Sequence, residues 1–324
     1  MSFKGEQNLK SEHALSDEEL KESIDINGET INSGIWRPSI FKNSSDTLEA
    51  GASTKELKRI INREEAKIRV TGEKDRFDEN FSRQDSEKRR VKIGAGRILT
   101  ELLKRIAPEA DPHDIQKTAL EHGNKTIIVD QKYLSKSKED RAKNLADGMI
   151  TNLKKIPLMV TGADCPPVGI YDPDHQSIGV FHSGWRGTLK QISPKGVQAM
   201  NETYGSDPKE LLVVVAPRAD GERFEVDGEV RNKFLNAKNE KGELIYNPEE
   251  VALFFKANPE KPGHYFLNMG LAIKNSLIKA GIAENHIQLS NYSTMSEEGN
   301  QLFSSERIEG QKARDSFAFI MALK

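Results

Sequence analysis

The sequence has few of the features that identify secreted, membrane or nucleic-acid-binding proteins. Cys165 is the only cysteine among 324 residues, so no disulfide can form within the chain, and a reducing, cytoplasmic location is expected. No run of about 18 apolar residues predicts a membrane-spanning helix, and the opening residues lack the apolar core of a signal peptide. The net charge of −2 predicts no general attraction to nucleic acid or to membranes.

Charge is distributed unevenly along the chain. Apolar residues make up 36% and charged residues 30% of the sequence, so much of the charge must lie on exposed segments. Residues 71–90 are rich in charge, with 12 charged residues among 20. We therefore predict a charged N-terminal extension, residues 1–84, that is partly disordered or helical, and a catalytic domain, residues 85–324. Residues 34–42 could add a first strand to that domain.

The rare residue types concentrate in one stretch, residues 161–187. Cys165 precedes a short, β-prone apolar run at 168–171, and His182 follows a second run at 178–181. The letters DPD between the runs are typical of a turn, so the stretch predicts a β-hairpin. In a hairpin the start of one strand lies beside the end of the other. The thiol and the imidazole are therefore expected at the same end of a sheet.

A third potential ligand, His122, lies upstream, just before a predicted strand at 125–129. The wide spacing of His122, Cys165 and His182 differs from that of zinc fingers, whose ligands come in close pairs. It fits three chain segments that converge in a folded pocket. Two imidazoles and one thiolate are good zinc ligands, and three protein ligands leave a fourth position open. The residues thus predict a catalytic zinc site.

Two neighbours of these residues are candidate catalytic residues. Arg186 lies between Gly184 and Gly187, where its guanidinium could bind an anion such as phosphate or pair with a carboxylate. Asp164 could orient a ligand histidine, as metal-bound imidazoles commonly require, or it could cap a turn.

The segments GADCPPVGIYDP and GVFHSGWRGTL, with an upstream HGN, resemble the YfiH-type laccase-domain family. These proteins were long labelled polyphenol oxidases and are regarded as zinc-dependent purine nucleoside phosphorylases with adenosine deaminase side activity. The resemblance covers residues 85–324. It implies that His122, Cys165 and His182 bind zinc rather than copper, and that a purine nucleoside and phosphate are the substrates.

The chain departs from the family pattern around the expected substrate site. Leu120 stands where a glutamine is usual, and residues 216–226 differ from the usual GPxI and C-x-YEV segments. Ser293-Thr294 replaces a cysteine-threonine pair, and residues 303–307 replace FSYRR. The rim of the site is therefore expected to differ from that of other family members.

Interleaved strand and helix patterns without strict alternation predict an α+β fold with mixed sheets. The family resemblance implies a four-layered αββα sandwich. A helix is predicted over 98–106, another over 188–204 that ends at Gly205, and a buried strand over 211–215.

Three alternatives to the phosphorylase function stay open. Cys165 could be the nucleophile of a cysteine hydrolase with His182 as its base. The domain could instead be a non-catalytic scaffold whose N-terminal arm binds a partner. A copper oxidase is the weakest alternative, because a blue-copper centre needs an axial ligand such as methionine and Met159 is expected to face the core.

Overall fold

The computed structural model describes residues 24–26, 29–32, 35–44, 46–54, 100, 102–309 and 317–324. The predicted charged segment at 71–90 lies outside these ranges. The strands are β1 (Ile24–Ile26), β2 (Glu29–Asn32), β3 (Ile35–Arg37), β4 (Leu48–Ser53), β5 (Gln116–Lys117), β6 (Thr126–Ile128), β7 (Gly148–Thr151), β8 (Leu158–Gly162), β9 (Pro167–Asp172), β10 (Ser177–His182), β11 (Leu212–Val215), β12 (Glu225–Asp227), β13 (Phe255–Ala257), β14 (His264–Leu267), β15 (Ile287–Leu289) and β16 (Phe317–Leu323).

Helices are interspersed with these strands, and a short helical segment covers residues 102–106. The α-helices after it are α1 (Gln131–Leu134), α2 (Lys138–Ala142), α3 (Trp185–Leu189), α4 (Ile192–Tyr204), α5 (Gly228–Leu235), α6 (Pro248–Phe254), α7 (Met269–Lys279), α8 (Glu297–Leu302) and α9 (Glu306–Glu309). Short 3-10 helices cover Ser39–Ser44, Pro112–Asp114, Pro208–Glu210 and Glu284–His286. Across the described ranges, no helix is both long enough and apolar enough to cross a membrane.

The strands form two large sheets and one small sheet. A seven-stranded sheet has the order β1-β2-β3-β4-β16-β8-β5, and a six-stranded sheet has the order β15-β11-β9-β10-β7-β6. Both large sheets are mixed, because β5 runs parallel to β8 and β6 runs parallel to β7. A three-stranded sheet, β12-β14-β13, accompanies α5 and α6.

Side-chain alternation in β16 shows that the seven-stranded sheet is covered on both faces. Phe319 and Met321 pack in the core shared with the six-stranded sheet. Ile320, between them, packs on the opposite face against Leu103 and Ile106 of the 102–106 helix. This period of two is the side-chain geometry of a strand buried on both sides.

The six-stranded sheet shows the same alternation. Tyr171 of β9 and Val180 of β10 face the seven-stranded sheet. Ile170 and Phe181 face the other way, where they pack with Val197 of α4 and with residues of α7. The order of layers is therefore helix, sheet, sheet, helices, which confirms the predicted α+β fold and is consistent with the four-layered sandwich.

The N-terminal region contributes strands to the seven-stranded sheet. β3 lies inside the 34–42 window in which a strand was expected, and β1, β2 and β4 pair beside it. Trp36 is completely buried and lies 6.4 Å from Phe319, measured between ring centroids. The boundary at residues 84 and 85 stays a prediction, but β1, β2, β3 and β4 are strands of the seven-stranded sheet.

The central hairpin forms as predicted. β9 and β10 are antiparallel, and Pro167 lies opposite His182 in the register. The predicted helix at 188–204 is divided into α3 and α4 by Gln191, whose φ of 63° is left-handed. The long helix then ends at Gly205, which has a φ of 79°.

Candidate metal centre

Three side chains from separate parts of the chain converge at one end of the central hairpin. Ring nitrogens of His122 and His182 and the Sγ of Cys165 lie within 4.8 Å of one another. The hairpin register explains part of this, since Cys165 comes two residues before Pro167, the partner of His182. The arrangement offers the two nitrogens and one sulfur that the sequence predicts.

His182 is held with one ring nitrogen directed into the site. Its Nδ1 donates to the carbonyl oxygen of Thr161 at 3.0 Å, and this hydrogen bond leaves Nε2 as the lone-pair nitrogen. Nε2 is buried and has no hydrogen-bond partner in the described part of the chain. Desolvation lowers the pKa of His182, and the hydrogen bond to Thr161 opposes that shift. The imidazole is therefore neutral, and the lone pair of its Nε2 can bind a cation.

Asp147 connects the two histidines. It is fully buried just before β7, and its carboxylate accepts backbone N–H groups from Glu121 at 3.3 Å, His122 at 3.0 Å and Gly123 at 2.7 Å. These bonds hold the turn in which His122 has a left-handed φ of 56°. The carbonyl oxygen of Asp147 also accepts the backbone N–H of His182 at 2.7 Å.

The Cys165 thiol is protonated in the absence of a cation. Burial raises the pKa of Cys165 to about 12, and the charges of Asp164 and Glu306 add to the effect. Arg186 and Arg307 act in the opposite direction. Reactive nucleophilic cysteines instead have lowered pKa values, so the environment does not favour the cysteine-hydrolase alternative. A metal ion would supply the positive charge that the thiolate needs.

Gly184 leaves room for the sulfur. A Cβ atom at Gly184 would lie 2.6 Å from the Sγ of Cys165 and 3.6 Å from Cδ2 of His122. The φ of −60° and ψ of 170° at Gly184 suit any residue. Space beside the donor atoms, rather than backbone conformation, is therefore the reason for glycine here.

Arg186 is exposed on the first turn of α3. Its guanidinium carbon lies 4.2 Å from the ring centroid of Trp185, and the guanidinium makes no hydrogen bond or ion pair within the described residues. The carboxylate partner considered from the sequence is therefore not observed there. The Arg186 guanidinium is available to bind an external anion.

Asp164 is buried, and both of its carboxylate oxygens are occupied. Oδ1 accepts from the hydroxyl of Thr294 at 2.6 Å, and Oδ2 accepts from the backbone N–H of Arg307 at 2.9 Å. His182 is oriented by Thr161 instead. The catalytic role predicted for Asp164 stays a prediction, and its observed contacts tie two distant segments to the turn before Cys165.

The segments that depart from the family pattern meet at this turn. Thr294 and Arg307 bind the Asp164 side chain, and the backbone N–H of Ala219 donates to the Asp164 carbonyl oxygen at 3.0 Å. The hydroxyl of Ser293 donates to the carboxylate of Asp220. The segments that contain Ala219, Thr294 and Arg307 therefore lie around Asp164, on one side of the candidate metal centre.

Sequence reasoning missed Arg307 and Asp147. The Arg307 guanidinium lies over the Phe224 ring at 4.8 Å from the centroid, and its charge acts on Cys165. Arg307 lies in the segment that replaces FSYRR, and this position could have identified it as a candidate site residue. Asp147 gives no comparable signal, because a single aspartate before an apolar strand is common in any sequence.

Two facing mixed sheets covered by helices, with two histidines and one cysteine at the end of the central hairpin, define a layered α+β protein with a potential metal centre. Residues 97–322 match the family described as multi-copper polyphenol oxidoreductase laccase. The chain belongs to this family.

Two relatives carry the name purine nucleoside phosphorylase. The chain is 30% identical over 201 residues to purine nucleoside phosphorylase YlmD of Bacillus subtilis, covering 61% of this chain and 67% of the relative. It is also 30% identical over 203 residues to purine nucleoside phosphorylase SERP0752 of Staphylococcus epidermidis, covering 61% and 69%. These names support an enzyme at the level of the family.

Solved structures show the same fold. The Bacillus licheniformis hypothetical protein YfiH has a TM-score of 0.69 at 20% identity, with 92% of this chain and 100% of that chain covered. YlmD of Geobacillus stearothermophilus has a TM-score of 0.63 at 19% identity, with 93% and 98% covered.

Proposed function

We propose that the chain is a zinc-dependent purine nucleoside phosphorylase acting on adenosine, inosine or methylthioadenosine. In this reaction an oxygen of phosphate bonds to the anomeric carbon of the sugar while the bond from that carbon to the purine nitrogen breaks. The electron pair of the broken bond goes to the base, which takes up a proton. The products are a free purine and a ribose 1-phosphate. The observation that carries the proposal is the convergence of His122, Cys165 and His182 near Arg186, whose charge acts on Cys165 and which has no ion-pair partner among the described residues.

The donor set fits zinc. Nε2 of His182 is a buried nitrogen that lacks a partner in the described structure, and Gly184 keeps the space next to the Cys165 sulfur open. Zinc binds imidazole nitrogen and thiolate sulfur, and catalytic sites use three such ligands. When bound, zinc supplies a Lewis acid that stabilises negative charge developing in the reaction.

The same residues fit a blue-copper centre less well. Such a centre adds a weak axial ligand, commonly methionine, to two histidines and one cysteine. Met159 packs in the outer layer with Ile35 and Leu102, away from the donor atoms. We therefore favour zinc over the copper that the family description implies.

Arg186 and Arg307 are the residues that we expect to hold phosphate. Both side chains are exposed, and both stabilise negative charge at Cys165. Planar guanidinium groups bind phosphate oxygens in pairs and so fix the orientation of the anion. Asp164 positions Arg307 by accepting its backbone N–H.

The proposal is tested with the purified protein, whose bound metal is identified and counted before adenosine and phosphate are added. Release of adenine that depends on phosphate and on zinc supports the proposal. Full zinc occupancy without release of any purine from adenosine, inosine or methylthioadenosine would contradict it. Omitting phosphate tests the adenosine deaminase activity, which would convert adenosine to inosine and ammonia.

Variants separate the two parts of the site. Cys165→Ala is expected to lose the metal. Arg186→Gln and Arg307→Gln are expected to keep the metal and to raise KM for phosphate by about tenfold or more, because each removes a charge-assisted hydrogen bond. Arg231→Gln is the matched control, since Arg231 also lies over an aromatic ring, that of Tyr265. An equal effect in all three arginine variants would refute the assignment of phosphate to Arg186 and Arg307.

A further inference from the structure

A cavity of about 830 Å³ lies beside the loop that carries His122 but contains none of the three potential metal ligands. It is open to the surface and bordered by the end of α3, the first turns of α4, the end of α5 and the segment after α5. Its lining includes Lys190, Lys195, Lys233, Lys238 and Lys241. The volume is in the range typical of small-molecule sites.

The walls of this cavity are strongly basic. Five lysines line it, against a single acidic residue, Glu240, in a chain whose total net charge is −2. Glu240 lies 3.5 Å from Lys195, and its side chain is 92% exposed, so it neutralises the cavity weakly. Lys233 is paired with Glu229 at 2.6 Å, outside the lining.

Three lysines of the cavity have no carboxylate partner among the residues that the structure describes. Lys190 donates through Nζ to the carbonyl oxygen of His122 at 3.1 Å, and a carbonyl leaves its positive charge uncompensated. Lys238 and Lys241 are exposed and make no ion pair with a described residue. A concave surface that gathers uncompensated ammonium groups attracts anions.

One wall of the cavity is a preformed hairpin-like loop. The backbone N–H of Ile245 donates to Ala237 at 2.8 Å, and the Asn239 side chain accepts the N–H groups of Lys241 at 2.9 Å and Glu243 at 3.0 Å. Gly242 completes the turn with a φ of 81°. These bonds hold Lys238 and Lys241 in a defined loop, which reduces the entropy lost when a ligand binds.

The cavity lining also includes apolar residues. Leu189, Leu244 and Ile245 line it together with the lysines, and Leu244 is 49% exposed. Side-chain amides of Asn236, Gln198 and others add hydrogen-bonding groups to the lining. A lining that offers both basic and apolar groups fits a ligand with a charged end and a flat, less polar body.

We propose that this cavity binds a nucleotide with two or more phosphates, such as a nucleoside diphosphate. The lysines contact the phosphate oxygens, and the leucine and isoleucine side chains contact the base and sugar. This site is separate from the proposed phosphorylase site, whose nucleoside substrates carry no phosphate. Lysine is an effective point-charge partner for phosphate, and several lysines are needed because each contributes modestly.

The test is equilibrium binding of ADP to the full-length, metal-loaded protein, with adenosine and inorganic pyrophosphate as separate probes. We expect saturable ADP binding that weakens as salt is raised, with adenosine not bound in the cavity and pyrophosphate bound at least about tenfold more weakly than ADP. Absence of saturable ADP binding at millimolar concentration would overturn the proposal.

Substitutions locate the bound nucleotide. The double variant Lys238→Gln/Lys241→Gln should weaken ADP binding at least about tenfold, because two charge-assisted contacts are lost. The matched control Lys132→Gln/Lys209→Gln removes two exposed lysines outside the cavity and should bind ADP like the unmodified protein. Cys165→Ala should also retain ADP binding. Loss of binding in Cys165→Ala but not in the Lys238/Lys241 variant would assign ADP to the metal centre and refute the cavity site.

Discussion

Replacing Gly184 by alanine tests whether the three donor atoms form a metal centre. The added Cβ would lie 2.6 Å from the Cys165 sulfur, whereas ordinary van der Waals contacts begin near 3.4 Å. The sulfur would therefore have to move by about 0.8 Å, several times the roughly 0.2 Å by which metal–ligand distances vary. The backbone conformation of Gly184 accommodates alanine, so the effect should fall on the donor atoms and not on folding.

We expect Gly184→Ala to lower zinc affinity by about 10–100-fold, the range seen when groups that orient metal ligands are altered. Competition with a chelator measures the affinity, and urea denaturation of the metal-free protein checks that folding is retained. Gly187→Ala is the matched control, because its Cβ would meet His182 O at 3.2 Å and Ile192 Cγ2 at 3.3 Å but no donor atom. Unchanged zinc affinity in Gly184→Ala would refute the reasoning.

Four other outcomes are expected at Asp147, Cys165 and Trp36. Asp147→Asn should cost about 1–3 kcal/mol in the free energy of unfolding for each amide left unsatisfied and should weaken metal binding through His122; unchanged urea denaturation and metal affinity would contradict this. In metal-free protein at pH 8, the Cys165 thiol, with its pKa of about 12, should be ionised in only about one molecule in ten thousand. Its alkylation should therefore be at least about a hundredfold slower than in unfolded protein, and fast alkylation would instead support the cysteine hydrolase. The pKa is raised in the folded state, so the metal-free protein should lose stability as the pH rises from about 9 towards 12. Cys165→Ser should make this loss smaller, and the remainder comes in part from Tyr204 and Tyr246, whose pKa values burial also raises to about 12. Trp36→Ala should lower the free energy of unfolding by about 3–5 kcal/mol in urea denaturation, whereas a change below about 1 kcal/mol would mean that the N-terminal strands are dispensable.

Residues 161–187 determined the central hairpin and its ligands by local physics. Two β-prone runs joined by DPD have few alternatives to an antiparallel pair, and strand geometry then puts Cys165 and His182 at one end. The sequence also predicts the three donor atoms, one sulfur and two nitrogens. The αββα order of layers came from the family resemblance and not from the residue pattern alone.

Only the tertiary structure decided how the rest of the site is held. Asp147 holds the backbone of His122, and Thr294 and Arg307 hold the Asp164 carboxylate, through contacts between segments far apart in the chain. The N-terminal strands join the sheet because β4 pairs with the C-terminal strand β16, which also pairs with β8. Strand pairing of this kind depends on which edges meet after collapse. Local strand propensity and the hydrophobic period do not predict which strand another strand pairs with.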